Sequence, residues 1–208
     1  MFAEVFVFAL VAGILPGPDF FVVSKNAISH GTRVGIGSAI GVASALAIHA
    51  TYSILGLTVI MQNYHFLFVT IQLFGAAYLA YLGLAAIIST FKKKAIEEGK
   101  FIIEKNKTFS KGYFNGFVCN ILNPKAYAFF LSVFSQFMSP TTPLWVEWLY
   151  GAEVVVVIGL WFILLSVLVS SGAFKRIYQR LEKAIERIFG AILILFAVKI
   201  GKSAIFGD

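Results

Sequence analysis

The sequence predicts an all-α integral membrane protein with six transmembrane helices, built as two inverted three-helix repeats whose first helices are broken by proline. Three observations favour this fold class. The 208 residues are 59% hydrophobic and 13% charged, with a mean hydropathy of +0.87, whereas soluble domains carry roughly a quarter charged residues. Six apolar segments each approach or exceed the ~20 residues that cross a bilayer. The two halves also share short motifs. The segments cover about residues 3–24, 34–60, 66–90, 113–138, 148–171 and 187–206.

The first segment contains an interruption, Pro16-Gly17-Pro18, followed directly by Asp19. Proline removes a backbone donor and clashes with the preceding turn, so two prolines around a glycine stop the helix here. We call this interruption the first break. A broken helix beside a carboxylate is tolerated in a membrane where it lines a cavity or is buried by protein. The pattern therefore predicts a polar cavity at the first break.

Basic residues are concentrated in alternate connections between the segments. The first, third and fifth connections hold 14 of the 17 Lys and Arg residues, and the second and fourth hold none. Basic connections stay in the cytoplasm, so both termini are expected outside. The net charge of +7 is thus explained by topology, and nucleic-acid binding is excluded as a function. The fourteen are Lys25, Arg33, Lys92, Lys93, Lys94, Lys100, Lys105, Lys107, Lys111, Lys175, Arg176, Arg180, Lys183 and Arg187.

The lysine-rich stretch of about residues 92–111 is the one clear linker within a single transmembrane transporter domain, 1–208. We interpret it as a solvated cytoplasmic loop near anionic headgroups. It separates a first repeat half, about 1–91, from a second half, about 112–208. Because each half has three spans, the second half is expected to run inverted relative to the first.

Two pairs of motifs support the repeat. Val11-Ala-Gly-Ile-Leu-Pro-Gly-Pro aligns with Val118-Cys-Asn-Ile-Leu-Asn-Pro-Lys at an offset of 107, and Phe74-Gly-Ala aligns with Phe189-Gly-Ala at an offset of 115. Asn123-Pro124 is thereby a second break. Paired broken helices in an inverted repeat point to a transporter site at the membrane midplane. Glycines spaced four apart predict close helix packing: Gly13 and Gly17, Gly31 and Gly35, Gly37 and Gly41, and Gly112 and Gly116.

Asp19 and Lys125 are the leading candidate site residues. Asp19 is placed to be the N-cap of a half-helix over 19–30, or to bind the ammonium group of a zwitterion beside that helix N-terminus. Lys125 either extends to the membrane surface or needs a partner at depth. We hypothesise that Asp19 and Lys125 pair across the repeat interface in the absence of substrate.

Four further residues have open roles. Asn120 and Asn123 either satisfy backbone groups freed by the second break or bind polar groups of a substrate. Glu153 is either a proton carrier or a residue near the outer end that titrates in water. His49 either bonds a neighbouring carbonyl or relays protons. The proton-coupling candidates are Asp19, Glu153 and His49.

Catalysis, cofactors and metal sites find no support in the sequence. Its one cysteine, Cys119, cannot form an intramolecular disulfide or a cysteine metal cluster. It contains no His-Glu-x-x-His and no Gly-x-Ser-x-Gly motif. An intramembrane protease would need a second acid or a serine–histidine pair at depth. A channel would need a continuous polar stripe, but the spans offer mostly Gly, Ala, Leu, Ile and Phe.

The chain resembles the lysine-exporter superfamily, and within it the threonine/homoserine (RhtB-type) branch. The resemblance rests on Pro16-Gly17-Pro18-Asp19 with Ser24, Gly31, Gly35 and Gly41, on Asn123-Pro124-Lys125 after Gly112 and Gly116, and on Phe189-Gly-Ala. It covers essentially the whole chain. The family's marked positions fall on Pro16, Gly17, Pro18 and Asp19 and on Asn123, Pro124 and Lys125.

The resemblance implies a multi-pass exporter of amino acids in the inner membrane of a bacterium, driven by the proton gradient. Threonine and homoserine are the first candidate substrates, and sister exporters of leucine, lysine or arginine, or homoserine lactone share the frame. A passive amino-acid or ion channel is the remaining alternative. The expected partners are the substrate and the lipid bilayer, and a homodimer is a candidate assembly.

Overall fold

The structure, a computed structural model, describes residues 1–91, 108–139, 141–169 and 172–206. In these residues the regular secondary structure is entirely helical. Most of the predicted linker, residues 92–107, lies outside the described residues, whereas Lys111 falls within a helix. The helices are α1 (Phe2–Ile14), α2 (Pro18–His30), α3 (Thr32–Asn63), α4 (His65–Ser89), α5 (Phe109–Ile121), α6 (Pro124–Phe137), α7 (Leu144–Leu168) and α8 (Gly172–Phe206).

Both predicted breaks are present. Helices α1 and α2 meet at 58° around the first break, and α5 and α6 meet at 61° around the second break. Each second half-helix begins with proline at its first position, Pro18 in α2 and Pro124 in α6. Proline suits this position because its fixed φ is helical and the missing N–H would have no intrahelical acceptor.

Three helices, α3, α4 and α7, are each long and apolar enough to cross a membrane. The pairs α1–α2 and α5–α6 reach the same apolarity together, which raises the number of spans to as many as five. The sixth predicted span lies on α8, which packs along α4. The crossing of the membrane by α8, and with it the six-span count, stays a prediction.

Helix α3 lies at the centre of the bundle, packed against α2, α5, α6 and α7, while α1 packs along α7. The buried side chains are mostly apolar and form one core. Large apolar side chains also cover the outside: Phe66 is 85% exposed and Leu160 is 61% exposed. An exterior of this kind suits contact with lipid rather than water.

The contact between α3 and α5 is made by backbone. A Cβ added to Gly41 would lie 2.0 Å from the Tyr113 carbonyl oxygen, and one added to Gly116 would lie 2.0 Å from the Ser38 carbonyl oxygen. The Ser38 hydroxyl also donates to the Gly112 carbonyl at 3.0 Å. Small residues four apart thus let the two backbones touch, which confirms the packing predicted for these glycines.

Two other predicted glycine pairs are not pairs on one helix face. Gly13 lies in α1 but Gly17 is the N-cap of α2, on the other side of the first break. Gly31 joins α2 to α3 with φ of 90°, a left-handed conformation that L side chains rarely adopt. In these two cases the glycines four residues apart mark a break and a turn, and they do not form one helix face.

Helices α4 and α8 meet at a reciprocal glycine contact. A Cβ on Gly83 would lie 2.5 Å from the Gly190 carbonyl oxygen, and a Cβ on Gly190 would lie 2.6 Å from that of Gly83. The same glycines face Ile194 and Ile87, each at 2.8 Å. Gly83 and Gly190 are 107 positions apart, the offset of the two breaks, whereas Gly75 of the predicted Phe-Gly-Ala motif packs against Ser132. The two Phe-Gly-Ala motifs therefore do not occupy equivalent contacts.

Replacement of Gly41 by alanine tests the backbone contact between α3 and α5. The added methyl group would overlap the Tyr113 carbonyl, and we expect a loss of about 1–3 kcal/mol of stability. The matched control is Gly56→Ala on the same helix, where nothing lies within 4 Å of the added Cβ. Thermal unfolding of the purified proteins in detergent should show a lower midpoint for Gly41→Ala alone. Equal midpoints for the two variants would contradict the contact.

Candidate functional site

A cavity of about 50 Å³ lies between the two breaks. This volume is several times the ~10–15 Å³ needed to hold one water molecule. Helices from both halves contribute to its wall: both breaks, together with residues of α1, α3, α6 and α7. The residues that line it are Ala12, Leu15, Gly17, Pro18, Asp19, Phe20, Leu46, Asn120, Asn123, Lys125, Ala126, Phe129, Phe130, Ile158 and Phe162.

The Asp19 carboxylate is held by two amides from the other half of the chain. Its Oδ2 accepts hydrogen bonds from Asn120 Nδ2 at 3.1 Å and Asn123 Nδ2 at 3.0 Å. The Cys119 thiol lies against the same carboxyl group as a weaker donor. The other carboxylate oxygen of Asp19, Oδ1, is buried and receives no N–H or O–H hydrogen bond from the described residues. One carboxylate oxygen is therefore committed to the protein, and the other is available to a ligand.

Asn123 has the first of the two roles that the sequence left open, and it also bonds to Asp19. Its Oδ1 accepts from the Lys125 backbone N–H at 3.0 Å and so caps α6, while its Nδ2 donates to Asp19. The predicted capping role of Asp19 is wrong, because the N-cap of α2 is Gly17 and Asp19 lies in the first turn without a capping hydrogen bond. The carboxylate is turned toward the second break instead.

Asn120 is the last fully buried residue before the second break, with 1% of its surface exposed. Its backbone carbonyl accepts a hydrogen bond from His49 Nε2 at 3.1 Å. The other nitrogen of His49, Nδ1, is bonded to the Tyr52 hydroxyl. His49 thus bonds the carbonyl of a neighbouring helix, as one of the two predictions for it required, and it does not line the cavity.

Lys125 lines the cavity from the second break and reaches toward the first. Its Nζ would lie 3.2 Å from a Cβ added to Gly17, so the absence of a side chain at Gly17 leaves room for the ammonium group. The ammonium and the Asp19 carboxylate act on each other electrostatically. The hypothesised direct pair is not formed: among the salt bridges of the described residues, none joins Lys125 Nζ to a carboxylate oxygen of Asp19 within 4.0 Å. The two charges face the cavity separately.

The rest of the wall is apolar and was not predicted as a site. Phe20, Phe129 and Phe130 flank the breaks, where apolar packing is the ordinary role of such residues. Leu46 on α3, and Ile158 and Phe162 on α7, belong to no motif that the sequence analysis singled out. Their sequence signal is the ordinary helical spacing of buried residues, which does not distinguish a cavity wall from a core.

Besides His49, three predicted site residues do not line the cavity. Pro16 and Pro124 shape the breaks without facing it. Glu153 lies on α7 near the amino group of Met1 and is not part of the cavity wall. Among the described residues, no group of three or more His, Cys, Asp or Glu side chains could hold a metal ion.

Residues 10–203 match the family model described as LysE type translocator. The chain is 30% identical to the threonine efflux protein of Escherichia coli (strain K12) over 198 residues, which cover 95% of this chain and 96% of that protein. It is 29% identical to the leucine efflux protein of Salmonella choleraesuis (strain SC-B67), covering 92% and 90% of the two chains. No solved structure matches the chain. Because the family model spans nearly all of the sequence, the chain belongs to the LysE type translocator family.

Proposed function

We propose that this protein exports small neutral amino acids, threonine or homoserine first, across the cytoplasmic membrane by proton antiport. The observation that carries the proposal is the pair of separated opposite charges in one cavity, the Asp19 carboxylate and the Lys125 ammonium. Amino acids carry the complementary pair on adjacent groups. Family membership and the efflux proteins among the relatives support the same direction of transport.

In the proposed complex, the free Oδ1 of Asp19 accepts a hydrogen bond from the α-ammonium group of the substrate. Lys125 and the N-terminus of α2 bind the α-carboxylate, since a helix N-terminus carries partial positive charge. Asn120 and Asn123 hold the carboxylate of Asp19 in place and do not contact the substrate directly. Charge-assisted hydrogen bonds of this kind are roughly twice as strong as neutral ones.

The apolar wall sets the class of side chain. Phe20, Phe129, Phe130 and Phe162 line the cavity with the polar groups, and no second acid in the described part of the chain lines it to bind the cationic side chain of lysine or arginine. The volume of about 50 Å³ suits a small substrate. Leucine is the second candidate, because the same apolar wall can contact its side chain and one relative is named a leucine efflux protein.

Asp19 is the proposed proton acceptor, because it is the only acid among the described residues that line the cavity. A proton on Asp19 removes the negative charge that holds the ammonium group and so releases the substrate. His49 has both ring nitrogens bonded within the protein, and Glu153 lies away from the cavity. We therefore assign proton coupling to Asp19 ahead of these two residues.

The proposed orientation follows from the basic residues before α5 and in the first half of α8, which favour a cytoplasmic position for both segments in a bacterium. The reciprocal contact of Gly83 with Gly190 is what a two-fold relation between the halves requires, because exchange of the two partners leaves such a contact unchanged. It supports an inverted repeat with α8 as the sixth span.

Efflux of labelled amino acids from loaded vesicles, with and without a proton gradient, tests the function. We expect threonine efflux from vesicles with the wild-type protein that collapses when the gradient is dissipated. Asp19→Asn should lower the rate by roughly tenfold or more, since a lost charged hydrogen bond costs about 1.5–3 kcal/mol.

Glu4→Gln is the matched control, because Glu4 is an exposed acid that pairs with Lys199 away from the cavity. Its efflux should equal that of the wild type. Movement of no amino acid by the wild-type protein would refute export, and gradient-independent flux would favour a channel.

Lys125→Gln separates recognition of the two charged groups of the substrate. We expect the affinity for threonine to fall about tenfold, while the affinity for 1-amino-2-propanol, which lacks the carboxylate, changes little. Competition against labelled threonine bound to purified protein measures both values. An equal loss for the two compounds would show that Lys125 does not bind the carboxylate.

A further inference from the structure

A second buried carboxyl group lies far from the cavity. Glu147, in the first turn of α7, has 1% of its surface exposed. Its Oε2 lies 3.0 Å from the hydroxyl Oγ1 of Thr58 on α3. This contact joins α3 and α7 near the end of α3, about eleven residues or ~16 Å along α7 from Ile158 in the cavity wall.

The proton count at Thr58 indicates the charge state of Glu147. The Thr58 hydroxyl has one proton, and its shorter contact, 2.7 Å, is to the carbonyl of Ile54, which can only accept. If that proton is donated to Ile54, the contact with Glu147 needs a proton from the carboxyl group. Glu147 is then a neutral acid that donates to Thr58.

The surrounding charges agree with a neutral group. No cation pairs with Glu147 among the described salt bridges, and an unpaired buried carboxylate is strongly unfavourable. Helix α7 packs against α1, α2 and α3. On those helices, the Met1 amino group lies near Glu153, Glu4 pairs with Lys199, Asp19 lines the cavity, and His49 and Tyr52 bond each other. Lys25, His30 and Arg33 lie in α2 or at the start of α3, whereas Thr58 lies near the end of α3.

The contact between α3 and α7 that runs from Glu147 to the cavity, which we call the seam, is closed by apolar packing. Gly151 on α7 lies against Ile54 and Ala50 of α3 and against Phe134 of α6. Ile54 and Phe134 are 0% and 2% exposed. In contrast, Pro18 in the cavity wall is exposed at the first break. The structure is therefore closed along the seam that ends at Glu147.

We propose that Glu147 is the protonation-dependent latch of this seam and forms one gate of the transport path. While protonated, it donates to Thr58 and keeps α3 and α7 together. When it releases its proton to water, the carboxylate requires hydration and the seam opens. The gating role rests on the proposed export function, whereas the coupling of protonation to opening does not.

Ser53 provides a probe of the seam, since it is fully buried on α3 between Thr58 and His49 and its hydroxyl has no partner among the described residues. A Ser53→Cys, Cys119→Ser protein is labelled in detergent with a cationic methanethiosulfonate at about pH 5 and about pH 9, so that an acidic and a basic condition are compared. The labelling rate is divided by that of the same protein carrying Glu147→Gln, which cancels the intrinsic pH dependence of the thiol.

The ratio should be close to one at the lower pH and rise at least about threefold at the higher pH. Glu147→Asp should keep the rise, and Glu4→Gln should leave it unchanged. If Glu147→Gln does not fold, the divisor becomes the rate of the same reagent with free cysteine at each pH, and the rise between the two pH values is the readout. A ratio that stays at one at both pH values overturns the latch. This readout needs no substrate, so it stands even if vesicles show no amino-acid efflux and the proposed function fails.

In the vesicle assay, Glu147→Gln should lower threonine efflux roughly tenfold and flatten its dependence on external pH. Its affinity for threonine in detergent should remain within about twofold of the wild type, because Glu147 does not contact the cavity. Wild-type efflux and an unchanged pH profile in Glu147→Gln would refute the gating role.

Discussion

The hydrogen bonds from Asn120 and Asn123 to Asp19 are the interaction on which the site depends. Two helix breaks inside an apolar bundle expose backbone groups and one carboxylate that must all find partners. A single amide, Asn123, meets two of these needs, since its oxygen caps α6 and its nitrogen reaches Asp19. The breaks are thereby joined to each other, and neither could be shifted without loss at both.

The helices behind the breaks fix this geometry. Backbone contact through Gly41 and Gly116 holds α5 against α3 with little freedom to slide. From α3, His49 then reaches the Asn120 carbonyl at the end of α5. The position of the Asn120 amide is consequently set twice, by the packing of its helix and by the bond to its own carbonyl. An amide placed in this way can orient a carboxylate without help from a cation, which leaves Lys125 available for the substrate.

The sequence predicted the parts of the site that carry strong local signals. The two proline breaks, Asp19, Asn120, Asn123 and Lys125 were all identified, because proline, charge and amide groups are rare in apolar spans. Relations between residues distant in the chain were harder to predict. The capping of α2 by Gly17 instead of Asp19 depends on where the carboxylate finds donors, and those donors lie about a hundred residues away. The aromatic wall gave no signal, since its residues have the spacing of an ordinary core.

The separation of Asp19 and Lys125 has a consequence for the cycle that we propose. The acid belongs to the first half of the chain and the base to the second, and the Asn120 and Asn123 amides bridge the halves through Asp19 alone. Relative movement of the halves would stretch these bonds while the carboxylate is charged and unbound. A zwitterion that contacts both charges would replace part of the lost interaction. A proton on Asp19 would make the carboxyl group neutral, so that it needs the amide hydrogen bonds less. The forms with bound substrate or with a proton on Asp19 can then reorient more readily than the empty charged form. This difference is the condition for exchanging an amino acid for a proton.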